Sequence, residues 1–113
     1  MINKRKFYIN GKWTNPIFKN DFEVINPSNE QSYAVISLGS KKDIDLATKS
    51  AKQAFLSWSQ TSKEEKIILL ENLLKIYKDR WDEITHTMSE EMGAPLDWSS
   101  SAQTSSGADH IND

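Results

Sequence analysis

Apolar positions along this chain change rhythm near Gly39. Before that point they fall in short runs broken by turn residues, which is the mark of strands. Phe7-Tyr8-Ile9 and Lys12-Trp13-Thr14 flank Asn10-Gly11. Asn and Gly tolerate the positive φ that both corners of a type I′ turn require, so the pair predicts a tight hairpin. Asn15-Pro16 ends the second run. Phe22-Glu23-Val24-Ile25 and residues 31–38 are two further strands. They are joined through Asn26-Pro27-Ser28-Asn29, where Pro27 sets φ at the first corner of a turn. Two tandem hairpins predict a small antiparallel sheet, marginal in water unless something covers one face.

Beyond Gly39 the apolar spacing becomes helical. Ser40-Lys41-Lys42-Asp43 has the form of a capping box, and Ile44, Ala47, Ala51, Ala54, Phe55 and Trp58 then fall on one face. Ser59-Gln60-Thr61 interrupts the pattern. Ser62-Lys63-Glu64-Glu65 is a second capping box, leading a stripe of Leu70, Leu73, Leu74, Tyr77, Trp81, Ile84 and Met88. The stretch to Met92 is long for one globular helix, and a bend is expected near Lys78-Asp79-Arg80. Gly93 stands where a left-handed cap is wanted, and Pro95 blocks continuation. The expected organisation is strands and hairpins over 1–39 and helices over 40–95. Residues 96–113 are the start of a further polar helix or a tail.

Composition narrows the setting. The chain has 113 residues, enough for one modest domain or part of a larger one. Its hydrophobic share, 37%, is below that usual for a compact domain and suits a chain that relies on further contacts to fold. Fourteen basic and sixteen acidic residues give a net charge of −2, which offers no footprint for nucleic acid. The basic cluster Lys4-Arg5-Lys6 leads through Phe7-Tyr8-Ile9 straight into Asn10-Gly11, unlike a signal peptide. No window approaches the roughly 18 apolar residues of a membrane helix. The chain has no cysteine, so disulfides, thiolate metal sites and cysteine nucleophiles are excluded. A cytoplasmic protein without membrane contact is expected.

Few residues offer chemistry. His86 and His110 are the only histidines, too few for a zinc site. Asp109 beside His110 suggests an oriented base, but adjacent residues on a helix point apart. Ser99, Ser100 and Ser101 lack a Gly-x-Ser-x-Gly elbow and are expected on a solvated helix or loop. Glu64-Glu65 suits a helix first turn, and Glu90-Glu91 a solvated face. Gly39 and Gly93 are expected at turns and caps, not in a phosphate loop with Gly107. Tyr77, Trp81 and Trp58 read as core packing before a nucleotide platform.

The ordered series of the Asn10-Gly11 hairpin, the Asn26-Pro27 turn, two capped helices and Glu91-Met92-Gly93-Ala94-Pro95 resembles the opening segment of the NAD(P)-dependent aldehyde dehydrogenase family. Ala102-Gln103 and Gly107 resemble its bacterial members. The resemblance spans essentially the whole chain. It implies an α/β fold: antiparallel hairpins followed by packed helices, beside a Rossmann-like NAD(P) domain in the coenzyme-binding half. It implies oxidation of an aldehyde to a carboxylate by a cysteine thiolate, through a thioester that a glutamate-activated water hydrolyses. In the family an asparagine amide helps to stabilise the oxyanion.

None of those groups has a counterpart in this chain, and Asn26 and Glu91 match no catalytic motif. No catalytic, cofactor-binding or metal residue is therefore assigned. NAD or NADP is implied for the full-length enzyme, and neither is expected to bind this chain alone. The expected partner is the remainder of the enzyme, or an equivalent chain covering the helical stripe, in a family that is usually homo-oligomeric. The rival reading is a small non-catalytic interaction module that exposes that stripe.

Overall fold

Asn10 and Gly11 both adopt positive φ, 53° and 74°, as a type I′ turn demands. The computed structural model, which describes residues 1–113, places strands β2 (Phe7–Ile9) and β3 (Lys12–Thr14) on either side of them. They pair antiparallel, with Tyr8 opposite Trp13. The two exposed rings meet edge to face at 5.2 Å. This hairpin forms a sheet of its own.

A second sheet has the order β1-β5-β4, with β1 at Ile2–Lys4, β4 at Asp21–Asn26 and β5 at Gln31–Ser37. The four residues between β4 and β5 allow only a reversal of direction. β1 pairs parallel to β5, with Ile2 opposite Ala34 and Lys4 opposite Ile36. The sequence reading of one antiparallel sheet from two tandem hairpins is thus corrected: the hairpins lie in different sheets, and the basic start supplies a parallel strand. Turn chemistry reports local pairing, whereas a parallel partner is distant in sequence. β5 is the central strand, and Ala34 and Val35, which point to opposite faces, are each only 4% exposed.

The structure divides into two compact units. Met1–Ile25 and Gln31–Gln60 form the first, which contains helix α1 (Lys41–Trp58). Its capping box is complete. Ser40 Oγ accepts from the Asp43 amide, and Asp43 Oδ2 accepts from the Ser40 amide at 2.8 Å. Asp43 Oδ1 also accepts from the Ile17 amide at 2.9 Å, tying down the loop before β4. The Ser40 hydroxyl, then the Ile17 and Ser40 amides, hold this buried carboxyl below the usual carboxylate range. The apolar face of α1 is open: Ile44 and Phe55 are more than half exposed. Trp58, expected in a core, is 46% exposed.

The second unit comprises Asn26–Glu30 and Thr61–Asp113. Helix α2 (Lys63–Asp79) carries the second complete capping box, between Ser62 and Glu65. The expected bend falls at Arg80, whose φ of −102° and ψ of 18° separate α2 from α3 (Trp81–Met92). α3 closes on Gly93 in the left-handed region, with its amide donating to the Ser89 carbonyl at 2.8 Å. Residues 96–112 are helical throughout: α4 (Leu96–Trp98), a π-turn (Ser99–Thr104) and α5 (Ser105–Asn112). The π-turn packs on α3 and α5 on α2.

Candidate functional site

The most enclosed polar groups of the second unit converge at the π-turn. Ser99 and Thr104 are fully buried, and Thr85 of α3 is 5% exposed. Ser99 Oγ donates to the Thr85 carbonyl at 3.1 Å. The Thr85 and Thr104 hydroxyls pair at 2.8 Å. Around them, Trp81 Nε1 donates to Ser100 Oγ at 2.9 Å, and Tyr77 Oη donates to the Thr104 carbonyl at 3.0 Å.

Geometry explains the unusual turn. In an α-helix, residues five apart diverge by about 140°. The i→i+5 bonds of a π-turn widen the coil and bring such residues toward one side. Ser99 and Thr104 can then both face Thr85. Gly107 completes the junction, since a Cβ there would lie 2.3 Å from Tyr77 Oη. The expectation of a solvated serine segment is corrected accordingly: Ser99 is buried, Ser100 is half-buried and only Ser101 is exposed. Hydroxyls are small enough for close helix approach and find partners on the facing helix, so the polar pattern concealed a packed surface.

A second constellation surrounds Asn26, which is 8% exposed. Its carbonyl accepts from the Glu30 amide at 2.8 Å and its Oδ1 from the Ser28 amide at 2.8 Å. Its Nδ2 donates to Glu90 Oε2 at 2.5 Å. This side chain therefore shapes its own turn and clamps it to α3. Glu90 and Glu91 are both exposed, as expected of a solvated face, and Glu90 in addition accepts from Asn26. Gly93 also sits against this turn, its position for a Cβ only 2.8 Å from Pro27 Cγ.

The structure does not assemble the remaining candidates. His86 is exposed and its Nδ1 lies 2.8 Å from the Asp82 carbonyl within α3. His110 and Asp109 are both exposed. Glu65 completes a helix cap, and the Ser62 hydroxyl followed by the Ser62 amide hold its carboxyl below the usual range. Tyr77 and Trp81 are half-buried, edge to face at 6.3 Å. Gly39 has no positive φ, so no left-handed turn explains it. The Ser99 hydroxyl donates to a carbonyl and faces no base, so the cluster lacks the nucleophile–base contact of a hydrolase. Sequence reasoning missed Thr85 and Thr104. The signal available was the run from Ser99 to Gly107, small at every position but Gln103, which permits close helix contact.

These features define an α/β segment whose polar clusters fasten turns and helices together. The aldehyde dehydrogenase family model matches residues 13–113. The chain belongs to the aldehyde dehydrogenase family. The 3-succinoylsemialdehyde-pyridine dehydrogenase of a Pseudomonas species is 44% identical over 96 residues, covering 85% of this chain and 20% of that protein. The crystal structure of an aldehyde dehydrogenase from Bartonella henselae matches with a TM-score of 0.98 at 49% identity, covering 99% of this chain and 24% of that one. A mutant Aldehyde Dehydrogenase C from Pseudomonas syringae, in complex with NAD+ and octanal, matches with a TM-score of 0.94 at 32% identity, covering 96% and 22%. The chain thus spans about a fifth of the length of such relatives and corresponds to their N-terminal region.

Proposed function

We propose that this chain is the structural opening of an NAD(P)-dependent aldehyde dehydrogenase and is inactive alone. In the complete enzyme an aldehyde is oxidised to a carboxylate at a cysteine thiolate. The attacking thiolate, the hydride acceptor and the water-activating carboxylate come from other parts of a family-length chain. NAD is the first coenzyme to test, since the related Pseudomonas syringae enzyme is an NAD+ complex. The setting is cytoplasmic.

The observation that carries this reading is the uncovered surface of α2. Ile67, Ile68, Leu69 and Leu70 are consecutive and between 43% and 55% exposed, and Leu73 and Ile76 extend the surface. Four consecutive apolar residues extend beyond one stripe of a helix, so this surface calls for more than one covering neighbour. Much longer relatives with the same local fold supply the natural cover, namely the remainder of the enzyme. The absence of cysteine from the sequence supports inactivity of the chain by itself. The test is complementation. The chain is mixed with a related aldehyde dehydrogenase lacking its matching N-terminal region, and NADH formation is followed with octanal. Activity from the mixture and neither component alone is expected. NADH formation by the chain alone overturns the reading.

A further inference from the structure

Of the eight asparagines in this chain only Asn10 precedes a glycine, while Asn15 and Asn26 precede prolines, which have no amide proton. An asparagine side-chain amide is open to attack by the next main-chain nitrogen. A glycine leaves that nitrogen unhindered, and the place of a Cβ at Gly11 is open, with nothing within 4 Å. Asn10 and Gly11 are both exposed, and neither the Asn10 side chain nor the Gly11 amide has a hydrogen-bond partner in the chain. Asn10 also borders hollows of about 350 and 360 Å³ against α1, so water reaches it from that side too.

The closed turn opposes this attack. The five-membered ring that results holds the asparagine ψ far from the value of about +30° that the first corner of a type I′ turn requires. Asn10 occupies that corner, with a φ of 53°. The ring therefore closes only when the hairpin opens. What keeps the hairpin closed is slight: two strands of three residues each, in a sheet of their own. A lone two-stranded hairpin is marginal in water. Beyond the ladder, Thr14 Oγ1 donates to the Phe7 carbonyl at 3.3 Å, and Tyr8 meets Trp13 edge to face across the strands.

We propose that Asn10 is a site of spontaneous conversion to isoaspartate through a succinimide, and that opening of the β2–β3 hairpin sets its rate. Hydroxide takes the Gly11 amide proton, and the Gly11 nitrogen bonds to Asn10 Cγ. The Cγ–Nδ2 bond breaks, and ammonia leaves with a proton from water, which restores the hydroxide. Water then opens the imide. Cleavage at Cγ gives aspartate, and cleavage at the main-chain carbonyl carbon gives isoaspartate. Nothing is oxidised or reduced. Isoaspartate adds a main-chain carbon and a negative charge to a loop whose length fixes the strand register. The modified hairpin cannot reclose in its original register. This inference is independent of the proposed enzymatic role.

The test is timed incubation of the full chain at mildly alkaline pH, followed by peptide mapping by mass spectrometry. Methyl transfer by an isoaspartyl-specific carboxyl methyltransferase counts the isoaspartate formed. Asn10 is expected to convert ahead of every other asparagine. Opening is fast beside the chemistry, so the rate follows the open population. Conversion is therefore expected to be faster in concentrated urea than in the folded chain. Trp13→Ala removes the aromatic pair and is expected to raise the folded-state rate about two- to tenfold. Tyr8→Ala breaks the same pair from the other strand and serves where Trp13→Ala does not fold, as judged by circular dichroism. The comparison of folded and urea-unfolded parent chain needs no variant. Three results overturn the proposal: another asparagine converting before Asn10, equal rates in the folded and unfolded chain, or a rate unchanged in the folded aromatic variants.

Discussion

At the scale of single residues, three glycines have different physical reasons. Gly93 needs its identity twice, for a φ of +71° and for the approach of Pro27. Gly93→Ala is expected to cost about 2 kcal/mol or more, read as a lower denaturation midpoint in urea. Gly39→Ala is expected to change it little, since the added Cβ would sit at 3.7 Å from Phe7. Gly107 is needed for space alone, because Tyr77 Oη occupies the position of its missing Cβ. Gly107→Ala is therefore destabilising, and Tyr77→Phe, by removing the nearest atom, should relieve part of that cost. A double-mutant cycle with strictly additive energies would contradict the contact. Gly93 was legible in the sequence because a glycine followed by proline ends helices by a local rule. Gly107 was not, because the tyrosine it accommodates belongs to another helix.

At the scale of elements, the capping boxes, the type I′ hairpin and the break at Arg80 were all legible, each being decided within a few residues. The parallel β1 and the buried face of the π-turn were not, since both depend on partners distant in sequence. Two measurements probe these elements. Thr85→Val removes the hydroxyl that pairs with the fully buried Thr104, and is expected to cost about 1–3 kcal/mol. Faster amide exchange across residues 99–104 should accompany the loss, and unchanged exchange would show that the hydroxyl pair does not hold the turn. The cap of α1 sets an acid dependence. Asp43 has a folded-state pKa depressed below 3.8, mainly by the Ser40 hydroxyl. Its contribution is present above the unfolded carboxylate value and is lost as pH falls through the lower folded value. Stability should thus fall in acid below about pH 4, and Asp43→Asn should flatten that limb of the curve. An identical limb in the variant would assign it to other carboxylates.

At the scale of the whole molecule, the family was legible because the turn, cap and closure signals occur in a characteristic order. The clusters that fasten the second unit were hidden. Thr85, Ser99 and Thr104 look soluble in a sequence, yet they are among the most buried residues. The converse holds for Phe55, Ile68 and Leu70, apolar residues that remain about half exposed or more. That inversion supports the proposed role: polar pairs fix local geometry, and apolar surfaces await the rest of an aldehyde dehydrogenase. The most direct measurement is NADH formation with octanal and NAD by the chain, by a relative lacking the matching N-terminal region, and by their mixture. The account predicts activity only in the mixture; NADH produced by the chain alone would contradict it.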